Sequence, residues 1–111
     1  MNASDLVLIL VATAHDYALN KADVYRLAKM VDDALKLGIG IEPLPIVGSL
    51  YSIEIEDALN HNVALGLMIH KHCYDGSKRW DEYEITNDGL HLVSRKEYDK
   101  VIEIIDSPII G

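Results

Sequence analysis

The sequence has few of the features that cross-link a small protein or direct it into or across a membrane. It contains one cysteine, Cys73, which cannot form a disulfide within a single chain. Its longest apolar run covers residues 6–12, far short of the ~20 residues that a membrane-spanning helix requires. No basic segment precedes a cleavable apolar stretch. We therefore expect a soluble, cytoplasmic protein with no membrane partner.

Basic residues are scarce as well, with 10 Lys and Arg against 18 Asp and Glu and a formal net charge of −8. Affinity for DNA depends on cations that neutralise phosphates, so this balance weighs against a broad DNA-binding surface. The cations are unevenly spread, because none lies between Lys36 and Lys71, whereas Lys71, Lys78 and Arg79 lie close together. Any basic patch is expected at those three residues.

Hydrophobic residues make up 50% of the 111 residues, enough for one domain over residues 1–111 with a core of its own. Ser4 and Asp5 predict the start of a helix that runs to about Tyr17, although a strand competes for so aliphatic a segment. Asn20 predicts the start of a second helix, and Gly38 its end. Its apolar stripe is Val24, Leu27, Ala28, Val31 and Leu35.

Glycines and prolines between residues 38 and 50 exclude a helix and leave a loop with a short strand at residues 45–47. Ser52 then predicts the N-cap of a third helix that ends at Gly66. A β-hairpin follows, with arms at residues 67–74 and 80–86 around the turn residues Asp75, Gly76 and Ser77.

The C-terminal segment supports two interpretations. In the one we favour, Thr86 caps a helix that continues to Asp106 with a break near Ser94. In the other, residues 87–89 form a turn into a strand, and Ser94 opens a new helix. Either way, Pro108 closes the segment, and Tyr98, Val101, Ile102 and Ile105 face the core. The terminal helices carry apolar residues beyond those of a core stripe, and this excess predicts a homodimer built from these helices. The residues are 6–11, Ile104, Ile109 and Ile110.

Three blocks, at residues 50–59, 66–68 and 83–89, resemble winged helix-turn-helix transcriptional regulators. In that family the recognition helix commonly leads through Gly-Leu-Ile into the wing, and Tyr-x-Leu-Thr-x-x-Gly follows the wing. The resemblance implies an α+β winged helix-turn-helix with an N-terminal helix, a β-hairpin wing and a C-terminal helix, acting as a DNA-binding regulator. The layout of the first half is more weakly similar to Panacea antitoxin-type domains and small archaeal proteins.

The candidate nucleic-acid contacts follow from this resemblance and from charge. The predicted recognition helix has no Arg, Lys or Gln to read bases, which leaves only Asn60 and Asn62. The cations and the aromatic residue at the hairpin tip are suited to phosphate contact. The alternative is that the tip is a solvated turn and that its tryptophan packs in the core. Neutral side chains before the third helix offer phosphate hydrogen bonds or, alternatively, capping and core packing. The hairpin set comprises Lys71, Lys78, Arg79 and Trp80. The set before the third helix comprises Ser49, Tyr51 and Ser52.

The competing interpretation is a protein-interaction module that binds no DNA. Glu54, Glu56 and Asp57 would then present an acidic face to a basic protein partner.

Other chemistry has weak support in the sequence. His70 and His72 share one face of the predicted strand, but Cys73 points the other way and no second spaced pair completes a tetrahedral set. We therefore predict no metal site and no cofactor, with Cys73 as a small core residue. Because no activated nucleophile or phosphate-binding loop is evident, we also predict that the protein is not an enzyme.

Overall fold

The computed structural model describes residues 1–106 as a mixed α+β structure with five helices and small antiparallel sheets. The helices are α1 (Ala3–Thr13), α2 (Lys21–Leu35), α3 (Ile53–Ala64), α4 (Asn87–Leu92) and α5 (Arg95–Ile105). The strands are β1 (Ala18–Asn20), β2 (Glu42–Pro43), β3 (Leu50–Tyr51), β4 (Met68–Asp75) and β5 (Lys78–Ile85). Within these residues, no helix combines the length and apolar character needed to cross a membrane.

Helix α1 forms the centre of the core. The side chain of Asn2 accepts a hydrogen bond from Asp5 N–H, and the Asp5 carboxylate accepts one from Asn2 N–H. The helix therefore begins at a capping box on Asn2, two residues before the predicted start. Every residue from Leu6 to Ala12 is buried, against α2, α3, α5 and β5. An apolar surface on all sides of α1 is thus covered within one chain.

Helix α1 ends at Thr13, so the prediction that it continues to Tyr17 is wrong. Tyr17 instead takes a left-handed conformation with φ of 59°, and Ala18–Asn20 form β1. This short strand pairs antiparallel with β5, with Leu19 opposite Tyr83. Pairing with a strand over sixty residues away overrides the helix propensity of the alanines here.

Helix α2 begins as predicted, because the Asn20 side chain accepts a hydrogen bond from Asp23 N–H. It ends at Leu35, earlier than Gly38, where Lys36 takes the left-handed conformation with φ of 53°. The buried Asp32 then holds the following loop, since its Oδ1 accepts a hydrogen bond from Ile39 N–H at 3.1 Å.

Residues 42–51 form a small hairpin in which β2 pairs with β3. The predicted strand at residues 45–47 is wrong, because these residues form the turn. The turn is closed by hydrogen bonds from Leu44 N–H to Ser49 O and from Gly48 N–H to Leu44 O, each 2.8 Å. Ile46 at its tip is 97% exposed.

The long hairpin is confirmed at nearly its predicted bounds. Strand β4 pairs antiparallel with β5 from Met68 opposite Ile85 to Asp75 opposite Lys78. Gly76 and Ser77 alone form the turn, and the φ of 63° at Gly76 explains the glycine. Strand β5 is central in the sheet, which has the order β1, β5, β4.

The favoured C-terminal interpretation is confirmed in its helix start at Thr86 and its break near Ser94, while the opening of a new helix at Ser94 agrees with the other interpretation. Thr86 caps α4, and after a break at Val93 the side chain of Ser94 caps α5. Val101 is fully buried, and Tyr98 and Ile105 pack against the core as predicted. The assignments of two isoleucines are wrong, because Ile104, expected beyond the core stripe, packs against the core, whereas Ile102 is not among the residues that do so. Pro108 and the two isoleucines after it lie outside the described residues.

Candidate nucleic-acid interface

The long hairpin has two different faces, because residues paired across an antiparallel ladder point to the same side. Nearest the helices, one face is part of the core through Met68, Tyr83 and Ile85. Further out, the same face carries polar side chains: His70, His72, Asp81 and Arg79. The opposite face holds Ile69, Lys71, Cys73, Asp75, Lys78, Trp80, Glu82 and Glu84.

Lys71 forms an ion pair across the strands with Glu84. The hydrogen bond and charge of Glu84 raise the pKa of Lys71 above its usual value. Its charge is therefore offset by a neighbour, and Lys71 contributes less to a basic surface than its position in the sequence indicates.

The hairpin tip carries the remaining cations of the predicted cluster. Lys78 and Arg79 are exposed, and neither forms an ion pair with any residue from 1 to 106. They point to opposite faces, and the Arg79 guanidinium lies 5.6 Å from the centroid of the Tyr74 ring. Trp80 is 40% exposed and lies outside the core. The tip thus presents a cation and an exposed aromatic ring on each face.

Cys73 also lies outside the core, contrary to its expected role as a small core residue. It sits half-buried on the face with Trp80, where its Sγ is 3.8 Å from Glu82 Oε2. Burial and the nearby carboxylate raise the pKa of the thiol. A thiol of raised pKa is a poor nucleophile at neutral pH.

The neutral residues before α3 are placed differently from one another. Ser52 is 2% exposed, and its hydroxyl accepts a hydrogen bond from Ile55 N–H at 3.2 Å. It is therefore a buried helix cap, out of reach of a phosphate. Ser49 and Tyr51 are exposed and line a pocket of about 370 Å³ together with Lys21, Ala22, Tyr25, Leu50 and Glu56.

The three acidic residues of α3 do not form one face. Glu54 and Asp57 are exposed, with no cationic partner in the described part of the chain. Glu56 turns inward, where its Oε1 is 2.6 Å from Lys21 Nζ and its Oε2 accepts a 2.5 Å hydrogen bond from the Tyr25 hydroxyl. The predicted acidic partner face is corrected to Glu54 and Asp57.

The exposed side of α3 offers little to read bases. Asn62, one of two candidate readers, is buried and its Nδ2 donates a hydrogen bond to Ser4 O at 3.0 Å. Asn60 remains exposed, on a surface with Glu54 and Asp57. Carboxylates on that surface repel phosphates, so contact through α3 is disfavoured.

One cluster was missed at the sequence level. His70 Nε2 and His72 Nδ1 lie 2.9 Å and 3.0 Å from the same atom, Asp81 Oδ1. The register provides the third residue, because the two-residue turn places Asp81 opposite His72. Counting back from that turn along both arms would have revealed it.

A scan against protein-family models gives no match for this chain, and neither does a search of curated proteins.

Proposed function

We propose that the protein is a winged-helix DNA-binding regulator that contacts the duplex through the β4–β5 hairpin. The order of the elements supports this, since α2 and α3 precede a long hairpin and β1 joins the hairpin in one sheet. In the proposal α2 and α3 serve as the helix-turn-helix pair, with the β2–β3 hairpin replacing the short turn between them. The hairpin serves as the wing.

The observation that carries the proposal is the pair of exposed cations at the tip of the wing. Lys78 and Arg79 project at the end of the hairpin furthest from the acidic residues of α3, and neither forms an ion pair within residues 1–106, although Asp75 lies opposite Lys78 in the ladder. Cations so placed contact phosphates, while Trp80 and Tyr74 provide surfaces that pack against sugars. Such contacts give affinity for many sequences, with little base readout.

The test measures binding of the protein to random and genomic duplexes by fluorescence anisotropy at about 50 mM and about 200 mM salt. The double variant Lys78→Ala, Arg79→Ala should weaken binding about equally on all sequences. Its salt slope should fall by about 0.9 for each phosphate that the variant no longer neutralises.

A second double variant, Lys96→Ala with Lys100→Ala, is the matched control. It also removes two positive charges, but from the exposed side of α5. If both double variants weaken binding equally, the effect comes from net charge and the wing has no special role. Absence of saturable binding at low salt would contradict the proposal directly.

The second candidate function is that of an acidic interaction module. Glu54 and Asp57 favour it, because they lie exposed on one side of α3 and no cation within residues 1–106 neutralises them. The variant Glu54→Gln, Asp57→Asn should leave DNA binding intact or strengthen it if the wing proposal holds. If that variant loses its biological activity in cells while the wing variant keeps its own, the DNA-binding proposal is wrong. The protein would then bind a basic protein partner instead.

Self-association is the remaining proposal. Because residues 6–12 are buried, α1 is not available for an interface, and a homodimer built from the terminal helices would rest on α5. A dimer would place two wings on paired half-sites. Light scattering at high micromolar concentration should give twice the mass of the chain, and the mass of one chain would contradict it.

A further inference from the structure

We infer that His70, His72 and Asp81 bind a divalent transition-metal ion of the zinc type on one face of the long hairpin. Their ligand atoms all lie within 4.8 Å of one another. Two imidazole nitrogens and one carboxylate oxygen are a ligand set that zinc accepts, with a fourth position left for water or another ligand.

The distances are close to what a bound ion requires. Zinc bonds of about 2.1 Å in tetrahedral geometry place neighbouring ligand atoms about 3.4 Å apart. Asp81 Oδ1 is 2.9 Å from His70 Nε2 and 3.0 Å from His72 Nδ1, so both pairs need to open only slightly. The two imidazole rings lie 4.5 Å apart between centroids. The ligand nitrogens of His70 and His72, which lie within 4.8 Å of each other, must likewise come to about 3.4 Å around a bound ion.

The site combines a fixed ligand with an accessible one. The His70 ring stacks on the buried Tyr83 ring, with centroids 4.6 Å apart and an interplanar angle of 13°. The backbone register fixes Asp81 opposite His72, and the side chain of His72 is 69% exposed. An ion can therefore enter from the His72 side without rearrangement of the core.

Charges around the three residues leave the site suited to a cation. The charge of Lys21 acts on Asp81, but Glu56 offsets that charge at 2.6 Å. Arg79, on the same face, lies over the Tyr74 ring. Cys73 points to the other face and is not a ligand.

The experiment is a calorimetric titration of zinc chloride into the full chain, free of any histidine tag and treated with chelator beforehand. We expect one zinc ion per chain and a rise in the midpoint of thermal unfolding, since the ion binds the folded hairpin. His72→Ala should weaken binding by about 100-fold or more, because even loss of an outer-shell partner typically costs 10–100-fold. Asp81→Asn should weaken it too.

Two variants serve as matched controls. His61→Ala removes an exposed histidine from α3, and Cys73→Ser removes the only thiol, so both should bind zinc like the parent. Because His72 is exposed, its variant should unfold at the same temperature as the metal-free parent. The inference is overturned if the parent binds no zinc at about 100 μM, or if His72→Ala binds as tightly as the parent. The titration contains no DNA, so its result and that of the DNA-binding test are independent.

Discussion

Lys21 at the start of α2 and Glu56 in α3 form an ion pair 2.6 Å long that joins the two helices. The same carboxylate accepts a hydrogen bond from Tyr25. Glu56→Ala removes the ion-pair partner of Lys21 and leaves the Tyr25 hydroxyl with only the Ser52 carbonyl, 3.1 Å away, as acceptor. We therefore expect a loss of about 1–3 kcal/mol in the free energy of unfolding. Glu54→Ala, on the exposed side of the same helix, should change it by less than about 0.5 kcal/mol. Urea unfolding of both variants provides the measurement.

The pH dependence of the same pair follows from the pKa of Lys21. Burial lowers that pKa, but the hydrogen bond and charge of Glu56 outweigh burial and raise it above the usual 10.5. A raised pKa means that the pair stabilises the fold fully below pH 10.5 and that this stabilisation is lost as the pH rises above it. The stability difference between the parent and Lys21→Met should therefore be constant near neutral pH and shrink in alkali. A difference that widens above pH 10.5 would contradict the assignment.

Gly89 in α4 is a position where a side chain cannot fit. A Cβ there would lie 2.7 Å from Ile85 Cγ1 and also against the Leu67 carbonyl. Gly89→Ala should therefore lower the free energy of unfolding by about 1–3 kcal/mol. Gly40→Ala is the control, because a Cβ at Gly40 meets nothing within 4 Å. Equal effects in chemical denaturation would show that the close packing at α4 is unimportant.

Neighbouring aspartates in α2 should differ sharply. Asp32 is buried and accepts a hydrogen bond from Ile39 N–H, whereas Asp33 is exposed and pairs with Lys29 at the surface. Asp32→Ala leaves a backbone donor unsatisfied and should cost about 1–3 kcal/mol. Asp33→Ala should cost less than about 0.5 kcal/mol, since exposed ion pairs contribute little. Thermal unfolding of the two variants separates these outcomes.

The sequence predicted best those elements whose signals are local. Asn20, Ser52 and Thr86 each cap a helix through a side-chain oxygen that accepts a backbone N–H three residues later. The long hairpin was found from its strand-forming arms and its glycine turn. These features depend on residues that are close together in the chain, so the local sequence is sufficient to predict them.

Elements that depend on distant partners were missed. No strand was predicted at Ala18–Asn20, which lie between two predicted helices and form a strand only because β5 lies beside them. Glu56 looked like part of an acidic face, yet Lys21 and Tyr25 in another helix turn it inward. Asp81 became part of a ligand set through strand pairing. In each case the deciding atom belongs to another element, which a local pattern cannot show.

The burial of α1 also sets a limit on folding during synthesis. Its apolar side chains are covered in part by α5, where Val101 is fully buried, at the opposite end of the described chain. A growing chain that leaves the ribosome has no cover for that side of α1 until Val101 has emerged. Nascent chains that stop before α5 should therefore expose the aliphatic side of α1 that α5 covers, and become substrates for chaperones or proteases.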